Sequence, residues 1–117
     1  MESNDAISAF AALAQETRLA VFRALVRAEP AGIAAGDLAR DLGVPANTMS
    51  AHLSVLARAG LVSSRRDSRS IIYRAEITRL REVIVFLAAD CCGGNADLCA
   101  PLVADLMPCC DEERFHA

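Results

Sequence analysis

Apolar residues recur at helical spacing through the first 60 positions. Within residues 5–14, Ala6, Ile7, Phe10 and Leu13 follow that spacing and predict a first helix. Leu19, Val21, Phe22, Leu25 and Val26 predict a second, which Pro30 and Gly32 stop. Leu38 and Leu42, at i and i+4, predict a short third helix over Ala35–Leu42, and Gly43 stands where a helix-terminating glycine belongs. Met49, Leu53 and Leu56 draw one stripe on a fourth helix from Ala46 to Ala59, ended by Gly60. The pattern then changes. Leu61–Arg66 and Ser70–Glu76 read as short strands joined by Asp67-Ser68-Arg69, a β-hairpin. Helical spacing returns over Ile77–Ala89, where Leu80, Val83, Ile84 and Leu87 share a face and Val85 and Phe86 lie opposite. Leu102–Met107 predicts a short last helix ahead of Pro108.

Helix, glycine-containing turn, helix and two-stranded hairpin is the order of a winged helix-turn-helix, so the predicted fold is mainly α with a small β-hairpin. Such a unit needs a small residue where its two helices cross, and Ala39 fits. It needs apolar residues to lock the pair, and Leu38, Leu42, Val44, Met49 and Leu53 serve. Its second helix must present short polar groups near its start, where Asn47, Thr48, Ser50, Ala51 and His52 stand. Asn pairs bidentately with adenine, Ser and Thr reach bases or phosphates, and Ala touches a thymine methyl. Two readings stand for His52: a donor to phosphate, or a histidine packed or bonded at the helix surface. Arg65, Arg66 and Arg69 crowd the hairpin tip. Without a counter-charge they repel one another, which favours contact with phosphates or a minor groove over a merely solvated wing.

The net charge of −3 opposes a nucleic-acid partner as a total, but its distribution favours one. Residues 58–81 hold seven Arg against Asp67 and Glu76, a local +5, whereas residues 82–117 carry −6. Phosphates feel the local field, because salt screens the rest within about 10 Å. All twelve basic residues are Arg, whose forked donors suit phosphate and guanine.

At 117 residues the chain is one small domain, 54% hydrophobic, with no Trp. That much apolar surface in so small a chain points to burial against a second subunit. The two apolar faces of the helix over Ile77–Ala89 point the same way, with Ile7 and Phe10 of the first helix as companions in a homodimer interface. No apolar run spans a membrane. The first 15 residues carry acids and no base, unlike a signal peptide. A cytoplasmic location, where thiols stay reduced, is expected.

Thiols matter because all five cysteines, Cys91, Cys92, Cys99, Cys109 and Cys110, fall in the last 27 residues. An odd count suits no disulfide framework. Adjacent cysteines, with Cα atoms about 3.8 Å apart, lie below the usual disulfide span of about 4.4–6.8 Å. Gly93, Gly94, Asn95 and Asp97 give the segment the composition of an exposed loop. The organisation expected is a winged-helix and dimerisation domain over 1–90 and a cysteine-rich effector tail over 91–117. Histidine occurs only as His52 and His116, so no cysteine–histidine catalytic arrangement follows and no enzyme or catalytic cofactor is expected.

Four stretches together resemble the ArsR/SmtB family of metal-sensing repressors over about residues 5–90. They are Leu13-Ala14-Gln15-Glu16-Thr17-Arg18-Leu19, Gly36-Asp37-Leu38-Ala39, Thr48 to Leu56 (TMSAHLSVL), and Ala59-Gly60-Leu61-Val62. The resemblance implies a homodimeric winged-helix repressor that sits on operator DNA and leaves when its inducer binds. One familiar arsenic site of the family uses cysteines on the helix before the recognition helix. Here that helix, Gly36 to Leu42, has none. A familiar zinc site uses Asp and His on the last helix, and Ile77–Ala89 has neither. Cys91, Cys92 and Cys99, as Cys-Cys-x₆-Cys, resemble an arsenic-responsive subgroup with three thiols after the dimer helix.

Soft thiolates select soft metals and metalloids. Trivalent arsenic or antimony takes three sulfurs in a pyramid, and Gly93 and Gly94 let Cys99 fold back onto the pair. Zinc or cadmium wants four ligands, for which Cys109, Cys110 or His116 is available. The second pair, Cys109 and Cys110, holds a second metalloid, receives an organoarsenical, or has no sensing role. A thiol redox sensor on the same fold is the rival reading, disfavoured because the acidic tail lacks the cation that lowers a reactive thiol's pKa.

Overall fold

The structure, a computed structural model, describes residues 1–91, with side chains as far as residue 88. The expected helix over 102–107 lies outside the described residues. Five helices and three strands follow in the order α1 (Ser3–Leu13), α2 (Glu16–Arg27), β1 (Ile33–Ala34), α3 (Ala35–Leu42), α4 (Ala46–Arg58), β2 (Val62–Asp67), β3 (Ser70–Ala75) and α5 (Ile77–Cys91). The chain falls into two units, one of Met1–Val83 and one beginning at Ile84 within α5.

Helix α1 opens with the Asp5 carboxylate accepting from the Glu2 amide at 3.4 Å, satisfying a donor near the helix start. Its fully buried residues are all alanines, Ala6, Ala9 and Ala12, and Leu13 at its end packs half-buried against the core. Ile7 and Phe10 point away, 63% and 38% exposed. Helix α2 begins where the Gln15 side chain accepts from the Arg18 amide at 2.8 Å, and it buries Val21, Phe22 and Leu25.

Helices α3 and α4 form the expected pair. Gly43 ends α3 in the left-handed conformation, φ 65. The Val44 amide donates to the Ala39 carbonyl at 2.9 Å and the Gly43 amide to that of Arg40 at 3.3 Å, the paired bonds of a Schellman turn. Leu38, Ala39, Met49, Leu53 and Leu56 are buried in one cluster with Val21, Phe22, Leu25 and Leu61. Complete burial of one such aliphatic side chain is worth about 1.5–3 kcal/mol. Leu42 departs from expectation and is 37% exposed. It is the last residue of α3, and beyond the turn Val44 packs against the core instead.

The hairpin is present, and its register is tighter than expected. Asp67 pairs with Ser70, so the turn is the two residues Ser68-Arg69. A third strand, unexpected from the sequence, completes the sheet in the order β1-β3-β2. Ile33 pairs with Tyr73 and Ala34 with Ile72. Gly32 makes this approach feasible: its φ is +80, and a Cβ there would lie 2.6 Å from the Tyr73 carbonyl oxygen. Helix α5 runs two residues further than expected, so Cys91 is its last residue. Along it Val83 is buried, whereas Val85, Phe86 and Leu87 are exposed.

Candidate nucleic-acid interface

The start of α4 is the surface that the stripe of buried Met49, Leu53 and Leu56 forces outward. Asn47, Thr48, Ser50 and Ala51 are all exposed. Pro45 precedes the helix without a side-chain cap, so the first amides need other partners. Asn47 supplies one, its Oδ1 accepting from the Thr48 amide at 2.9 Å. The amide nitrogen of Asn47 remains free to donate to a base edge or phosphate.

His52 is half-buried, and its Nδ1 lies 3.3 Å from an Arg18 guanidinium nitrogen. A guanidinium has no acceptor, so Arg18 donates and Nδ1 accepts. The ring proton then sits on Nε2. The two sequence readings of His52 therefore join: it is bonded at the helix surface, and that bond leaves an Nε2–H donor. Arg18 is itself held by its Nε, which donates to the Ala12 carbonyl at 2.7 Å. This brace has no signal in the sequence, because Arg18 and His52 lie 34 positions apart on different helices.

The wing stands off the body. Val62 and Ala75 at its base are buried, and every residue from Ser63 to Ile71 is exposed. Arg65, Arg66 and Arg69 thus sit on an exposed tip, as expected. Arg65 also reaches the Ala31 carbonyl at 3.5 Å. The tip and the first turn of α3 face each other across a cleft of about 430 Å³, with Gly36, Asp37 and Arg40 on one side and Arg69, Ser70 and Ile71 on the other. Asp37 and Arg40 pair within α3.

The wing's base is tied to the α2–β1 loop by Arg74, whose two nitrogens donate to Glu29 at 3.2 and 2.8 Å. This Arg74 hydrogen bond holds the Glu29 carboxyl below its ordinary value, against a smaller opposing desolvation. Across the hairpin base, the Ser63 hydroxyl donates to Glu76 at 2.6 Å. Neither tie was visible in the sequence, since both depend on the register of the sheet.

Of the proposed thiol ligands, Cys91 ends α5. Cys92, Cys99, Cys109 and Cys110, with His116, lie outside the described residues. Among the described residues no group of three His, Cys, Asp or Glu is placed to hold a metal ion. No described helix is long and apolar enough to cross a membrane.

Residues 13–65, which span α2 to β2, match the model of a helix-turn-helix domain family. Among curated proteins, the chain is 35% identical over 79 residues to the HTH-type transcriptional regulator KmtR of Mycobacterium tuberculosis. That match covers 68% of this chain and 58% of KmtR, so the chain spans under two thirds of that relative's length. Among solved structures, an ArsR-like transcriptional regulator from Rhodococcus sp. RHA1 aligns with TM-score 0.68 and 31% identity, covering 88% of this chain and 92% of that one. The homodimeric winged helix-turn-helix DNA-binding domain Mb0332 from Mycobacterium bovis, a possible ArsR-family regulator, aligns with TM-score 0.60 and 28% identity, covering 74% and 80%. An exposed polar face on α4, an arginine-tipped wing and similarity over nearly the whole length of the Rhodococcus regulator place this chain in the ArsR/SmtB family of winged helix-turn-helix transcriptional regulators, which is not a family of enzymes.

Proposed function

We propose that this chain is a repressor responsive to trivalent arsenic or antimony. It binds operator DNA as a homodimer and dissociates when the thiolates of Cys91, Cys92 and Cys99 close on the metalloid. The observation that carries the effector reading is the Cys-Cys-x₆-Cys spacing at the end of α5, with no cysteine elsewhere in residues 1–90. Three soft donors match a three-coordinate thiophilic ion. Homodimerisation is supported by large apolar residues left uncovered in one copy: Ile7 and Phe10 on α1, and Val85, Phe86 and Leu87 on α5. A self-complementary contact with a second copy would remove them from water.

The coupling is one of linkage. Two recognition helices must meet half-sites about 34–36 Å apart. Drawing Cys99 onto Cys91 and Cys92 at the end of α5 strains the dimer, and the recognition helices lose that spacing. Couplings of about 1–3 kcal/mol correspond to about 5–150-fold in affinity. Fluorescence anisotropy of the reduced protein on its own promoter DNA, titrated with arsenite, zinc and peroxide, tests this. Release by arsenite alone is expected. Cys91→Ser and Cys92→Ser should each bind DNA normally and fail to leave it. Release of either variant by arsenite would sink the site. Release by zinc or peroxide alone would assign the tail to a four-ligand metal or to thiol oxidation.

A further inference from the structure

A second cleft, of about 390 Å³, opens between α1 and α4, and no wing residue lines it among the described residues. Alanines make the room: Ala11 and Ala12 line one wall and Ala59 the other, where longer side chains would fill the space. Val55 adds an apolar patch, and the polar groups are Ser8, Arg18 and Arg58. No acid lines it. Arg58 is exposed and, among the described residues, forms no ion pair. Arg18 is held at two points, on Ala12 and on His52, which leaves three of the five guanidinium N–H donors unmatched among the described residues. A guanidinium fixed in place with donors to spare is a preorganised oxyanion receptor, because little ordering entropy remains to be lost on binding. A second guanidinium, that of exposed Arg58, lines the same space and makes the local field positive.

We propose that this cleft binds a small organic carboxylate, its head group between Arg18 and Arg58 and its short apolar body against Val55 and the alanines. The volume lies at the lower end of the range for small-molecule sites, about 300–1,000 Å³. The ligand and the recognition helix share one group: the Arg18 guanidinium that meets the carboxylate also donates to His52 on α4. Occupancy is therefore sensed at the His52 ring, on the helix proposed to meet DNA. The carboxylate proposal does not rest on the metalloid reading.

Butyrate, with its neutral isostere butyramide as control, is a suitable probe of the full-length reduced protein by nitrogen-15 NMR. Saturable shifts are expected at the Ser8, Val55 and Ala59 amides and at the His52 ring nitrogens with butyrate alone. Arg58→Gln, a change at an exposed position, should weaken butyrate about tenfold. Ala11→Leu, which fills the cleft and keeps both arginines, should abolish the saturable shifts. The proposal fails if shifts are linear in concentration, if butyramide reproduces them, or if both variants bind as the parent does. Saturable binding of inorganic phosphate without butyrate would make the cleft a phosphate site and overturn the carboxylate assignment. Shifts at the cleft with a silent His52 ring would overturn the link to α4.

Discussion

His52 has a single ring nitrogen left for a partner, because Arg18 occupies the other at 3.3 Å. Asn47 is constrained in a comparable way, its oxygen turned to the Thr48 amide and its nitrogen left for a partner. The outward positions of α4 were legible in the sequence, since the buried stripe dictates them. The groups that orient them were not, since they come from a distant part of the chain or from the helix's own first turn. The wing arginines make the simplest quantitative case. Each cation that neutralises one phosphate contributes about 0.9 to the slope of log affinity against log salt. Arg66→Gln and Arg69→Gln should each lower that slope by about 1 and weaken all DNA sequences alike, as read by anisotropy across a salt series. Unchanged slopes in both variants would remove the wing from the interface.

At the scale of elements, the wing is held at its base and free at its tip. Gly32 is central to that base, because it combines a left-handed φ with a backbone approach that no side chain tolerates. The conformation alone costs another residue about 1–2 kcal/mol, and the clash with Tyr73 adds to it. Gly32→Ala should therefore destabilise the fold by about 2 kcal/mol or more in denaturant unfolding. The Glu29–Arg74 bridge predicts a pH dependence. Glu29 has a lowered folded-state pKa, so its stabilising effect is full above the ordinary glutamate value of 4.5 and fades as pH falls through the lower folded value. Arg74→Gln should flatten this part of the acid unfolding curve and leave neutral behaviour close to the parent, for a pair still partly open to solvent adds little. Unaltered acid unfolding in that variant would count against the bridge. The long helices were readable from periodicity, and Gly43 marked the turn. Strand β1 was not, because two residues carry no period and only the pairing with Ile72 and Tyr73 defines them. The hairpin was recognisable from its composition, whereas alternation is lost beyond Val62 where the wing leaves the core.

At the scale of the whole molecule, apolar surface on α1 and α5 argues for a second copy, and the thiols follow α5 in sequence. The apolar periodicity already carried the dimer argument. It could not tell that Leu87 would join Val85 and Phe86 at the surface, because a helical repeat assigns faces without saying which face is covered. The order β1-β3-β2 has a further result. Strand β2 is an outer strand, and β1 covers β3 only at Ile72 and Tyr73. Away from DNA, both rims of the wing offer backbone groups to any similar strand, with Ile71 exposed beside them. The positive charge that suits the wing to phosphate then has a second use as a guard, since two such rims repel on approach. Salt weakens the guard by shortening the reach of the charge to about 3 Å at 1 M. Light scattering of the DNA-free protein should show association beyond the dimer as salt rises, and an Arg65→Gln/Arg66→Gln variant should reach it at lower salt. Scattering indifferent to both would mean that the rims need no guarding. If the guard operates, the DNA-free protein is the form most exposed to self-association, and its solubility depends on the arginines of the wing itself.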